Sequence, residues 1–239
     1  MAPKRVAAAR LSPELLKAKK LEYRLAFYGG YHRDPTNKLI HAVFVPAIVW
    51  SVAVWAAIPG PALPDELWKP YVEKIPAIPG LEAYDLGRCL VPNLAMMLVL
   101  LYSNYYMNYL DFEAGVGWSL FFGAPTWLSA TLFQILVPYA ECYALALFVL
   151  SWYMQIYWGH HMYEKRRPAL LASFSQAILT APFFVWFELL FMLGYYKDTQ
   201  LNVEVMIEED IRVWKARVAN EAAAAESALA AGPEVKKEQ

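Results

Sequence analysis

Leu39-Ile40-His41-Ala42-Val43-Phe44-Val45-Pro46-Ala47-Ile48-Val49-Trp50-Ser51-Val52-Ala53-Val54-Trp55-Ala56-Ala57-Ile58 is a run of twenty residues without an acid, a lysine or an arginine. A helix needs roughly 20 apolar residues to cross the hydrocarbon core of a bilayer, so this stretch reads as a membrane span. Four further apolar stretches follow, at residues 90–110, 118–137, 143–158 and 169–196. The third stretch of the five carries Pro125 and the fourth is short. The last is too long for one upright span and is interrupted by Pro182 and Glu188, which suits a tilted helix or a re-entrant hairpin. The composition agrees, with 59% hydrophobic and 18% charged residues and a mean hydropathy of +0.29. The fold class predicted is therefore all-α: a polytopic transmembrane helix bundle of about four spans, plus a fifth apolar segment that crosses or re-enters.

Charge sets the orientation. Lys4, Arg5, Arg10, Lys17, Lys19 and Lys20 precede the first span without an apolar core segment, so the N-terminus does not read as a secretory signal peptide. A second basic group, Lys165-Arg166-Arg167, follows the fourth span. Cytoplasmic flanks carry the excess of Lys and Arg, and four crossings put both groups on that side. The C-terminal Lys236-Lys237-Glu238-Gln239 resembles the dilysine retrieval signal of the endoplasmic reticulum, which must face the cytosol. The reading is a multi-pass protein of that membrane with both termini cytosolic. It divides into an N-terminal arm over 1–38, a transmembrane domain over 39–196 and a polar tail over 197–239. Residues 59–87, rich in Pro and turn signals, read as a loop. The formal net charge is -1; the partner expected is the lipid bilayer, and no nucleic acid.

The chain holds four histidines, His32, His41, His160 and His161. In this topology they meet at one depth of one leaflet. Asp34-Pro35 is a turn, with Thr36 or Asn37 expected to cap the helix that carries His41, which leaves His32 free to fold back. Asn37 and His41 share a helix face, as do His160 and Glu164. Imidazole is the commonest ligand for zinc, copper or iron, and Glu164 can ligate a metal or orient a ligand imidazole. Four histidines are too few for a di-iron histidine-box centre, so a mononuclear site fits. Cys89 and Cys142 have no metal-ligand spacing. No nucleophile elbow, P-loop or zincin motif is present, and Gly115-Val116-Gly117 lacks the rest of a dinucleotide fingerprint. Arg166 and Arg167 read either as topology anchors or as holders of a substrate carboxylate. Tyr102, Asn104, Tyr105, Asn108 and Tyr109 read as an aromatic belt or as the lining of a headgroup pocket.

Two segments resemble a known family. Tyr28, His32, Asn37 and His41, followed by Pro46, match its N-terminal pattern, and residues 155–170 look like its second one, with Gln155, the Gly159-His160 pair, Glu164 and Pro168-Ala169-Leu170. The family is the fungal and bacterial 2-hydroxy fatty acid dioxygenases, named for metabolism of phytosphingosine to odd-numbered fatty acids. The likeness covers roughly residues 20–196. It implies an Fe(II)-dependent enzyme of the endoplasmic reticulum that removes one carbon from a 2-hydroxy fatty acid with O₂. His32, His41 and His160 carry over as ligands, with His161 as a further candidate and Glu164 as a catalytic one. Asn37, Arg166 and Arg167 are the candidate substrate contacts. The stoichiometry closes without a cosubstrate: the 2-hydroxy acid and O₂ give a shortened acid, CO₂ and water. Two other readings compete, a transporter or lipid-binding scaffold with proton-relay or structural histidines, and a zinc-dependent membrane hydrolase.

Overall fold

The computed structural model describes residues 13–75, 90–165 and 174–230. Among these the chain is helical throughout, with no named strand. Helix α1 is Pro13–Gly29 and α2 is Pro35–Ala57. A short 3₁₀ turn, Asp65–Leu67, and α3, Lys69–Val72, lie within the segment read above as loop. Then come α4, Leu94–Tyr105, α5, Phe112–Trp118, α6, Ala124–Leu136, and α7, Ala140–Tyr153. Helices α8, Phe174–Met192, and α9, Lys197–Ala230, complete the order. Three π-helical stretches prolong the α-helices: Tyr106–Leu110, Ser119–Gly123 and Met154–Glu164.

Local chemistry explains the boundaries. Helix α2 is capped by Asp34, which accepts from the amides of Thr36 at 2.8 Å and Asn37 at 3.1 Å, and Pro35 opens the first turn where no N–H is needed. The cap is thus Asp34, not Thr36 or Asn37. Helix α4 starts at Leu94, later than the apolar run, because Asn93 turns its side chain onto the amide of Met96 at 3.1 Å. Asp111 caps α5 through the amide of Ala114 at 2.8 Å. Two helical stretches among the described residues are long and apolar enough to cross a membrane, Pro35–Ala57 and Phe112–Leu136. The paired segments Ile178–Met192 and Lys197–Ala224 pass that test together but are bent by 119°.

Two cores hold the bundle. In one, Ala53, Val54 and Ala57 of α2 meet Ala95, Ala130, Ala140 and Ala144. Small side chains let backbones approach closely, which is how helices gain dispersion energy in lipid. In the other, Leu21, Leu25 and Tyr28 of α1 meet Phe183, Phe184 and Phe187 of α8, with Val203 and Ile207 of α9. Pro182 leaves the carbonyl of Ile178 without its usual helical donor. The hydroxyl of Tyr102 donates to it at 3.4 Å, and that of Tyr106 donates to Leu179 O at 3.1 Å. Glu188, the acid within this apolar helix, pairs with Lys38 of α2 at 3.0 Å.

Candidate metal centre

His32 stands in the turn after α1. Its Nδ1–H donates to the carbonyl of Tyr28 at 2.7 Å, and its ring stacks on that of Tyr28 with centroids 4.3 Å apart. His41, in the second turn of α2, donates through Nδ1–H to Asn37 O at 3.0 Å. A carbonyl only accepts, so each hydrogen bond fixes the tautomer and leaves the Nε2 lone pair free, the arrangement found in metal-bound imidazoles. His160 comes from the opposite side of the sequence, on the π-helix that prolongs α7.

The three rings close on one another, with centroids 4.3 Å (His32–His41), 4.9 Å (His32–His160) and 5.0 Å (His41–His160) apart. One ligand atom from each lies within 4.8 Å of the other two. Their exposures are 1%, 3% and 4% for His32, His41 and His160. His32 Nε2 and His160 Nδ1 are buried without a hydrogen-bond partner among the described residues. Leaving such an atom unpaired costs about 1–3 kcal/mol, and a shared cation would satisfy these nitrogens together. Burial, and after it the nearby His41, holds His32 well below the usual histidine pKa, so the ring is neutral and able to ligate. Three imidazoles without a thiolate suit zinc, copper, iron or nickel.

Glu164 lies apart from this group. Its carboxylate accepts from the amide of Arg33 at 3.0 and 2.9 Å, from the amide of Asp34 at 2.9 Å and from Asn37 Nδ2 at 3.1 Å. It therefore ties the π-helix bearing His160 to the turn between His32 and His41. The close approach depends on Gly159, where a Cβ would collide with Asn37 Oδ1 and lie 3.4 Å from His41 Cε1. His161 points the other way; it is exposed and stacks on Tyr157 with centroids 5.7 Å apart. Neighbouring helical residues diverge by roughly 100°, so one member of the His160-His161 pair faces inward. Arg166 and Arg167 lie outside the described residues. Lys165 is exposed and left-handed, with φ 55°, and ends the π-helix.

A cleft with a cavity volume of about 100 Å³ runs from His41 and His160 along α2. His41, Val45, Ile48 and Val49 line one wall at helical spacing, His160, Ile156, Gln155 and Trp152 the other, and Ile178, Ala181 and Pro182 close it from α8. Sequence reading missed this wall, because its residues were indistinguishable from lipid-facing ones.

A family profile described as "Mpo1-like: 2-hydroxy-palmitic acid dioxygenase Mpo1-like" matches residues 18–193. The chain belongs to this Mpo1-like family. Among characterised proteins it is similar to the 2-hydroxy-palmitic acid dioxygenase MPO1 of Saccharomyces cerevisiae, with 29% identity over 197 residues, covering 79% of this chain and 90% of the yeast protein. No solved structure matches it significantly. The family match takes in all three buried histidines and the cleft, and stops at the bend before α9.

Proposed function

We propose that this Mpo1-like protein is an Fe(II)-dependent dioxygenase that shortens 2-hydroxy fatty acids by one carbon, releasing CO₂ and water. One observation carries the reading: three buried imidazoles close on one another, and two of them, His41 and His160, line an apolar cleft. A hydrophobic chain with a polar, metal-seeking head fits that arrangement, and the family relationship names such a substrate for the yeast relative.

His32, His41 and His160 would hold the iron, which supplies redox chemistry and open positions where O₂ and a 2-hydroxy acid can meet. The chain's own residues do the rest. Tyr28 O and Asn37 O hold two of the rings in their ligating tautomer. Glu164 locks the elements that bear the histidines. The cleft orients the acyl chain so that its carboxyl end lies by the histidines. Arg166 or Arg167 would hold the carboxylate.

The setting proposed is the endoplasmic reticulum membrane, with the histidine end toward the cytosol and four crossings between α1 and α9. In support, α1 and α9 pack on each other through Leu21, Leu25, Val203 and Ile207. In this reading both helices lie outside the bilayer and share a side, so the number of crossings between them is even.

The test is metal analysis of purified protein with an assay of 2-hydroxypalmitic acid turnover. Iron near one equivalent, O₂ uptake and the one-carbon-shorter acid are expected. Bound zinc without O₂ uptake would indicate a hydrolase, and no metal would indicate a scaffold.

A further inference from the structure

Among the described residues Gln155 is the one amide side chain lining the cleft, and the mechanism above gives it no role. It is 5% exposed. Its Nε2 donates to Ser151 O at 3.2 Å, and among the described residues nothing donates to its Oε1. The hydrogen bond from Nε2 fixes which way the amide faces. The carbonyl oxygen is then the end left for a ligand, an acceptor in a wall otherwise built largely of aliphatic and aromatic groups.

Helix type decides where that acceptor stands. Gln155 and His160 both belong to the π-helix Met154–Glu164. Such a helix closes its turns at i→i+5, so residues five apart share a face. In an α-helix the same pair would diverge by roughly 140°. Both residues accordingly line the same cleft, one turn apart, with Gln155 on the side away from Glu164. A ligand whose head lies at His160 presents the first atoms of its chain to Gln155.

We propose that Gln155 is the residue that distinguishes a 2-hydroxy acid from the unsubstituted acid, with Oε1 accepting the hydrogen bond of the 2-hydroxyl. The assignment rests on the function proposed above. Discrimination follows from burial. An unsubstituted acid leaves the carbonyl oxygen dry and unpaired, a cost that falls on the wrong ligand alone.

The experiment measures binding, not turnover. Metal-loaded protein in detergent is kept free of O₂, and 2-hydroxypalmitic acid and palmitic acid compete in turn against a fluorescent fatty acid, with metal content measured in parallel. The wild type is expected to favour the hydroxy acid by about tenfold or more. Gln155→Met removes the acceptor while keeping an unbranched side chain; the preference should collapse toward unity with metal content unchanged. Gln155→Glu keeps an acceptor and should keep the preference, even if its charge weakens both acids alike. A preference that survives Gln155→Met overturns the assignment and leaves the dioxygenase reading standing. A wild type without preference overturns both. If Gln155→Met does not fold, the wild type answers with 2-methoxypalmitic acid, which cannot donate. Binding as weak as that of palmitic acid supports Gln155 as acceptor, and binding as tight as that of the hydroxy acid refutes it.

Discussion

His160 and His161 are adjacent in sequence and opposite in circumstance, one buried against two other imidazoles and the other exposed beside Tyr157. His32→Ala, His41→Ala and His160→Ala should each abolish iron retention and turnover, because a mononuclear site loses most of its affinity with one ligand. His161→Ala should keep both near the wild-type level, as measured by metal analysis of membrane-inserted protein. Glu164 calls for a different outcome. Glu164→Ala strips acceptors from two backbone amides and Asn37, which should cost about 2–4 kcal/mol of stability and lower metal affinity 10–100-fold. Glu164→Gln keeps a carbonyl oxygen and should fall between; thermal melts with and without iron would separate the two effects. The grouping of His32, His41 and His160 was legible from spacing, since residues on either side of one turn and at the end of a distant helix share a depth, but the turning away of His161 was not. The role of Glu164 was not, because beside Asn37 its partners are the backbone amides of Arg33 and Asp34, which carry no sequence signature.

At the scale of elements, the packing of α2 against the π-helix turns on Gly159. Gly159→Ala would push a methyl into Asn37 Oδ1. The helices must then separate, a strain of roughly 1–3 kcal/mol, and the separation falls on His41 and His160. Expected are reduced iron content and a lower melting temperature, with insertion unaltered. Wild-type iron content and stability in that variant would show that the contact is slack. Helix existence was legible from the apolar runs, and Pro182 and Glu188 were visible as interruptions. Their resolution was hidden, since it needs Tyr102 and Tyr106 at one freed end of the ladder and Lys38 at the other charge. The π-helical stretch was equally hidden. Reading by a 3.6-residue period puts Gln155 and His160 on different faces.

Across the whole molecule, the described residues pass the test for a span at two places, or three with the bent pair, where the apolar runs had suggested about four. Helix α4 contributes to the shortfall by starting only at Leu94, and the start of the 169–196 stretch lies outside the described residues. The contact between α1 and α9 argues for an even count all the same. Reporters fused at either terminus should therefore be accessible from the cytosol, checked by protease protection of intact microsomes; a C-terminal tag that becomes glycosylated would contradict this topology. The all-helical class and the family were legible from composition and from residues 28–46 and 155–170, whereas the pairing of the first and last helices was not, being an association of distant surfaces.

That pairing bears on the order in which the site is made. His32 is among the first functional residues to leave the ribosome, yet its seat is built from Tyr28 and from Phe184, whose ring lies 4.8 Å from that of Tyr28 and 5.6 Å from that of His32. Ile207 of α9 presses on Gly29 just before it, where a Cβ would lie 2.8 Å from Ile207 Cδ1. At about 5–20 residues per second, translation takes roughly 8–30 s to travel from His32 to Phe184. Through that interval the earliest ligand waits without its platform. The candidate metal centre is thus a product of the finished chain, and a nascent chain stalled before α8 would carry all of its histidines without the seat that fixes the first.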